Sequence, residues 1–91
     1  INQSNLDFRD DIKIYDNNNN LRISSEEINL NLETQKIIGK SESEIEDNFG
    51  NIYQVSEFEY DLEDKIIKLV ELKVLDINAN TFKMKIAFLD I

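Results

Sequence analysis

The sequence predicts an all-β chain: an antiparallel sheet of about six or seven strands, built from a repeat and folded as a sandwich or a taco-like jelly roll. Three observations predict it. The chain echoes itself about every thirty residues, its apolar residues alternate with polar ones, and Asn- and Asp-rich clusters separate the alternating runs. The echo is clearest in Ile12-Lys13-Ile14-Tyr15-Asp16, Ser43-Glu44-Ile45-Glu46-Asp47 and Leu72-Lys73-Val74-Leu75-Asp76. Their aspartates stand 31 and 29 residues apart, and each is followed four places on by Asn20, Asn51 or Asn80. A second phrase recurs as Ser25-x-x-Ile28-x-Leu30, Val55-x-x-Phe58-x-Tyr60 and Ile86-x-x-Leu89-x-Ile91. Roughly three repeats of 29–31 residues imply a stack in which each unit leans on its neighbours.

Taken in order, the first strand is Arg9 to Tyr15, where Ile12 and Ile14 flank Lys13. Ile1 to Phe8 reads as a frayed terminus or an incomplete edge strand. Asp16 to Asn20 reverses the chain, because Asn and Asp bond their own backbone and tolerate positive φ. Leu21 and Ile23 then alternate with Arg22, and Ile28 and Leu30 with Asn29. The link Glu33-Thr34-Gln35-Lys36 leads to Ile37-Ile38 and on to Ile45. After the Asp47–Asn51 turn, Tyr53, Val55, Phe58, Tyr60 and Leu62 form a strand. Glu63-Asp64-Lys65 links it to Ile66-Ile67, and that strand runs to Val74. The Asp76–Asn80 turn precedes Thr81 to Ile91, where Phe82, Met84 and Ile86 alternate with Lys83 and Lys85. Period-two alternation puts one face of each strand in a core and the other in water. From Glu57 to Val74 the apolar spacing also fits a helix. The counterpart segment, with Asn29, Asn31, Thr34 and Gly39, decides for strands.

Ninety-one residues with 41% hydrophobic content make one domain, 1–91, with a thin core. The third copy stops in mid-phrase, which suggests a fragment of a longer stack. With no Cys and no His, the chain has no thiol nucleophile, imidazole base, disulfide or Cys/His zinc site. A net charge of −9 argues against nucleic acid and against adsorption to an anionic membrane. No apolar run reaches the ~20 residues of a spanning helix. Asp16-x-Asn18-x-Asn20 with Glu27 imitates a calcium loop, but Leu21 stands where its turn glycine belongs. The pairs Glu26-Glu27, Glu57 with Glu59, and Asp61 with Glu63 read as exposed charges rather than a glycosidase acid and base. No catalysis, metal or cofactor is expected.

Ile45-Glu46-Asp47-Asn48-Phe49-Gly50-Asn51 and Val55-Ser56-Glu57-Phe58-Glu59-Tyr60-Asp61 resemble the OstA-type repeat of lipopolysaccharide-transport proteins. The family includes the bridge protein LptA and the periplasmic N-terminal domain of the outer-membrane protein LptD, and the wording is nearest to the latter. The likeness runs from about Asp11 to Ile91.

That resemblance implies a periplasmic jelly roll whose two sheets close along one side and gape along the other, lining an apolar groove for lipopolysaccharide (lipid A) acyl chains. The groove candidates are Ile12, Ile14, Leu21, Ile23, Ile28 and Leu30, then Ile45, Tyr53, Val55, Phe58 and Tyr60, and finally Val74, Phe82, Met84, Ile86 and Leu89. Each buried methylene is worth ~0.8 kcal/mol, so acyl chains bind without polar contacts. Alternating apolar residues equally serve the closed core of a purely structural β-solenoid or sandwich. The family also implies pairing with neighbouring jelly rolls through an edge strand, here Arg9, Asp10, Asp11, Ile12, Lys13, Ile14 and Tyr15.

Overall fold

The computed structural model describes residues 5–91. They form β1 (Asn5–Asp16), β2 (Leu21–Asn31), β3 (Lys36–Gly39), β4 (Ser43–Glu46), β5 (Ile52–Asp61), β6 (Ile66–Leu75) and β7 (Thr81–Asp90). All seven belong to one antiparallel sheet, and no helix occurs among the described residues. β3 and β4 are two pieces of one row: both lie between β2 and β5, β3 against one end of each and β4 against the other. The sheet is therefore a meander of six rows. The segment Glu57 to Val74 is strand, turn and strand, which settles the helical alternative. Of the stretch read as a terminus, residues 1–4 lie outside the described residues, while Asn5 to Arg9 pair with β2 from Asn31 to Glu27.

Every row breaks at one level. Asp10 and Asp11 interrupt β1, with φ of 69° and 53°. Glu26 is passed over in β2, residues 40–42 separate β3 from β4, Ser56 and Glu71 face each other unpaired in β5 and β6, and Lys85 is skipped in β7. Across this line the buried parity slips: Leu21, Ile23 and Ser25 give way to Ile28, Val55 to Phe58, and Leu69 to Leu72. Such a slip would turn a flat strand over. Here the sheet bends at the line, so one apolar face stays inward on both sides.

The bend makes two leaves. The first holds 12–16, 21–25, 43–46, 52–55, 72–75 and 81–84, and the second holds 5–9, 27–31, 36–39, 57–61, 66–70 and 86–90. Tyr60 Oη donates to Asp16 Oδ2 at 2.6 Å. In a flat sheet, at ~3.3 Å per residue and ~4.8 Å per strand, β5 Tyr60 and β1 Asp16 would lie roughly 30 Å apart. That bond requires the leaves to face each other. So does the burial of Ile45 and Ile67 to 0% exposure, which a single layer cannot provide.

Serines satisfy the backbone freed along the crease. Ser25 Oγ donates to the Glu27 carbonyl at 3.2 Å and accepts from the Glu27 N–H at 3.4 Å. Ser43 Oγ lies 2.9 Å from Ser25 Oγ and 2.9 Å from the Ser41 carbonyl, and Ser56 Oγ donates to the Val70 carbonyl at 3.0 Å. Gly39 is needed beside the crease because the Phe58 ring occupies the space a Cβ would fill. Filling that space should cost about 1–3 kcal/mol. Gly39→Ala is expected to lower the unfolding free energy by that amount, read as a lower denaturant midpoint at an unchanged slope.

At the lip of the first leaf, aspartates organise the reversals. Asp47 Oδ1 accepts from the Phe49 and Asn51 N–H groups at 2.9 and 3.0 Å, and its Oδ2 accepts from Asn51 Nδ2 at 3.1 Å. Asp76 repeats the set with Asn78 and Asn80. The first turn is a residue shorter, closing at Asp16↔Leu21, so Asn19 and not Asn20 supplies the amide. Gly50 takes φ 87° in its turn, where Ala79 takes 64° in the next. A Cβ-bearing residue in this region is strained by ~1 kcal/mol. Ala79→Gly should raise thermal stability, and Gly50→Ala should lower it further than φ alone explains, because its Cβ would meet Ile77 Cγ2 at 2.9 Å.

Candidate functional site

The inner face is apolar from one edge of the sheet to the other. Cross-strand partners share a face, so Leu6 lies beside Leu30, Phe8 beside Ile28, Ile14 beside Ile23, Leu72 beside Met84, and Val74 beside Phe82. Of the sixteen groove candidates, fifteen lie on this face. Leu21, Ile23, Ile28, Ile45, Val55, Phe58 and Tyr60 are buried, while Ile12, Ile14, Leu30, Tyr53, Val74 and Leu89 are half-buried against them. Ile86 is the correction. It pairs with Val70 beyond the crease, on the outer face, and is 54% exposed; Ala87 holds the inward position that alternation assigned to it. For the same reason the third copy of the second phrase runs Met84-x-x-Ala87-x-Leu89, two residues before Ile86-x-x-Leu89-x-Ile91.

Sequence reasoning missed Leu6, Phe8, Ile37, Ile67, Leu69, Leu72 and Ala87. The doublets Ile37-Ile38 and Ile66-Ile67 fit either parity, and between Glu57 and Val74 the spacing of Phe58, Leu62, Ile66, Leu69 and Val70 fits a helix as well as a strand. The signal that could have found them was the x-x gap in the repeated phrase, which is the crease itself.

Coverage of this face follows a diagonal. Tyr60 in the second leaf of β5 meets Asp16 in the first leaf of β1, so the leaves are offset by two to three strands. A surface depression shared by Leu21, Asp47, Phe49 and Leu89 shows the same offset from the Asp47 turn to β7. Each edge strand is then covered on one leaf only. Ile12 and Ile14 are half-buried, but Leu6 and Phe8 on the same strand are 41% and 43% exposed; Ala87 and Leu89 are half-buried, but Phe82 and Met84 are 49% and 47% exposed. Two uncovered apolar patches thus stand at opposite corners, one from each leaf.

β1 and β7 are the two edges of the sheet. All seven edge-docking candidates lie on β1, but the bulge at Asp10 and Asp11 divides that edge into two shorter ladders. The Asp11 N–H points back at Glu26 Oε2, 3.3 Å away. The ion pairs Arg9–Glu27 (3.8 Å) and Lys13–Asp11 (3.5 Å) are exposed and add little. Of the acid pairs, Glu26, Glu27, Glu57 and Glu63 are exposed and Glu59 and Asp61 half-buried. No cluster of three or more metal-ligating side chains occurs among the described residues.

Two tyrosine–aspartate pairs mark the lip. Tyr53 Oη donates to Asp47 Oδ2 at 2.9 Å within one hairpin, whereas Tyr60 reaches across the leaves. The bond from Tyr60, then that from Asn19, holds Asp16 below the usual carboxylate range. Burial raises Asp47, but bonds from Asn51, Tyr53 and the backbone outweigh it and leave it lowered. Asp76 is lowered chiefly by the Asn80 N–H. Burial, with the neighbouring carboxylate, pushes both tyrosines up to about 12. The chain matches no family model, no curated protein and no solved structure.

Depressed carboxylates stabilise the fold above their unfolded value of about 4 and lose that contribution as pH falls through the folded values; raised phenols contribute fully below about 10 and lose it as pH rises towards 12. Thermal denaturation should therefore show a plateau between these limits. Asp16→Asn should flatten the acid limb and Tyr60→Phe both limbs.

Proposed function

We propose that this chain is a non-catalytic, lipid-conducting domain, a repeat-built jelly roll of the OstA-like kind that carries lipopolysaccharide acyl chains between its leaves in the periplasm. The observation that carries the reading is the inner face itself: apolar in every row from Leu6 and Phe8 on β1 to Phe82 and Met84 on β7, with Ser25 and Ser43 buried at the crease, and uncovered at both corners. A sealed domain gains nothing by exposing Phe8, Phe82 and Met84, whereas a conduit segment must present an apolar surface at each end. The three Asp-organised turns support the repeat. No helix of the described residues is long and apolar enough to cross a membrane, and the reading needs none.

The diagonal coverage also suits neighbouring jelly rolls. Six rows make β1 and β7 antiparallel, so β1 of a following domain could pair with β7 and continue the alternation. The second-leaf residues that it and its next strands bring would then lie over Phe82 and Met84. The bulge at Asp10 and Asp11 would meet Lys85, crease to crease.

A second reading, a purely structural assembly module with a closed core, is favoured by the tight centre: Phe58 packs on Gly39, and Ile23, Ile45, Ile67 and Leu69 are sealed. Photocrosslinking amino acids at Tyr53, Phe58 and Met84, presented with lipid A, separate the two. Conduction predicts lipid adducts at all three; adducts at Met84 alone, or at none, would leave the closed module.

A further inference from the structure

The lip, where the leaves meet opposite the crease, is fastened at one place. Among the described residues Tyr60–Asp16 is the one side-chain hydrogen bond joining the two leaves there, and Asp16 is held for it by the Asn18 and Asn19 N–H groups at 3.1 and 3.3 Å. Two strands further along, the same contact has a different chemistry. Leu89 occupies the row of Tyr60, through Tyr60↔Ile67↔Leu89, and so offers an aliphatic side chain where Tyr60 offers a hydroxyl. Asp47, the carboxylate at that position, is already taken by Tyr53 of its own hairpin.

What remains between the leaves there is a depression of about 340 Å³. Leu21, Phe49, Leu89 and Ile91 supply its apolar walls. Leu21 is 3% exposed and continuous with the core, while Phe49 stands 71% exposed at the mouth. The rim is Asn18, Asn19, Asn20 and Asn48 with the carboxylates of Asp47 and Asp90. Neutral amides and anions give a phosphate or carboxylate head group no cation to bind, so the opening suits hydrocarbon alone.

We infer that the lip is a one-sided gate: the Tyr60–Asp16 bond clasps the leaves at the β1 end, and a lipid acyl chain enters at the unclasped lip between Leu21, Phe49 and Leu89. The inference rests on the lipid-conducting reading above and adds where the chain enters and what limits the opening. The crease acts as the hinge, because each strand there already lacks a pairing partner. Removing the clasp frees both leaves to part; bridging the unclasped lip blocks admission.

The chain has no cysteine of its own, so pairs can be placed at will. Asn48→Cys with Asp90→Cys, joined by a short bis-maleimide, spans the unclasped lip; Asn17→Cys with Leu62→Cys, joined likewise, spans the clasped side. Uptake of the fluorescent fatty acid cis-parinaric acid is followed by stopped flow, with singly labelled variants as controls and circular dichroism to confirm the fold. The first cross-link should slow uptake at least tenfold, the second should leave it unchanged, and Tyr60→Phe should speed it several-fold. Unlinked protein that binds the probe with a rate indifferent to the first cross-link or to Tyr60→Phe would overturn the gate and leave the lipid reading standing. Folded, unlinked protein that takes up no probe would overturn both.

Discussion

The structure depends on a single constraint: the break in strand pairing must occur at the same level in every strand. A sheet has two faces and a strand alternates between them, so a break at different levels in different rows would set apolar side chains of neighbouring rows on opposite faces. Here all six rows break at one level, at Asp10 and Asp11, Glu26, residues 40–42, Ser56, Glu71 and Lys85. The alternation slips in β2, β5, β6 and β7, while β1 and the β3–β4 row each carry one more residue there than the β2 strand they pair with and keep their parity. The common break becomes a crease, and the apolar face is conserved through it. Short polar side chains are suited to that line. Ser25, Ser43 and Ser56 bond the backbone groups that the ladder releases, while the charged residues keep their heads in water.

Once creased, the sheet needs its leaves held in register, and two kinds of contact supply this. Apolar contact is strongest in the middle rows, where Phe58, Ile45, Ile67 and Leu69 are sealed, with Gly39 making room for the aromatic ring. Polar contact is concentrated at the lip, where Asp16 serves its own turn and Tyr60 at once. Coupling a turn to a cross-leaf bond means that the hairpin between β1 and β2 and the closure of the lip respond to the same carboxylate. The neighbouring turn spends its carboxylate locally on Tyr53, and so leaves the lip there to hydrocarbon contact alone.

The offset between the leaves links packing to function. Had the leaves superposed strand on strand, the edge strands would have been covered on both leaves and the domain would close on itself. Because they are skewed, Leu6 and Phe8 lie bare at one corner and Phe82 and Met84 at the other. These complementary half-faces are the surfaces on which a conduit built from successive domains would depend. The net charge of −9 belongs with an outer face rich in Asp and Glu, while the apolar side chains turn inward.

The sequence by itself determined most of the strands, the reversals and the greater part of the inner face, because alternation, Asx chemistry and apolar burial are local properties that neighbouring residues encode. It also carried the crease, written as the x-x gap of a repeated phrase, although periodicity alone misread that gap at Ile86. Only the tertiary structure decided which leaf covers which strand, why Phe8 and Met84 are bare while Ile14 and Leu89 are not, and that Tyr60 reaches Asp16, 44 residues away. The bend at the crease and the skew between the leaves are sums over all six rows, and no stretch of sequence short enough to read as a pattern contains them.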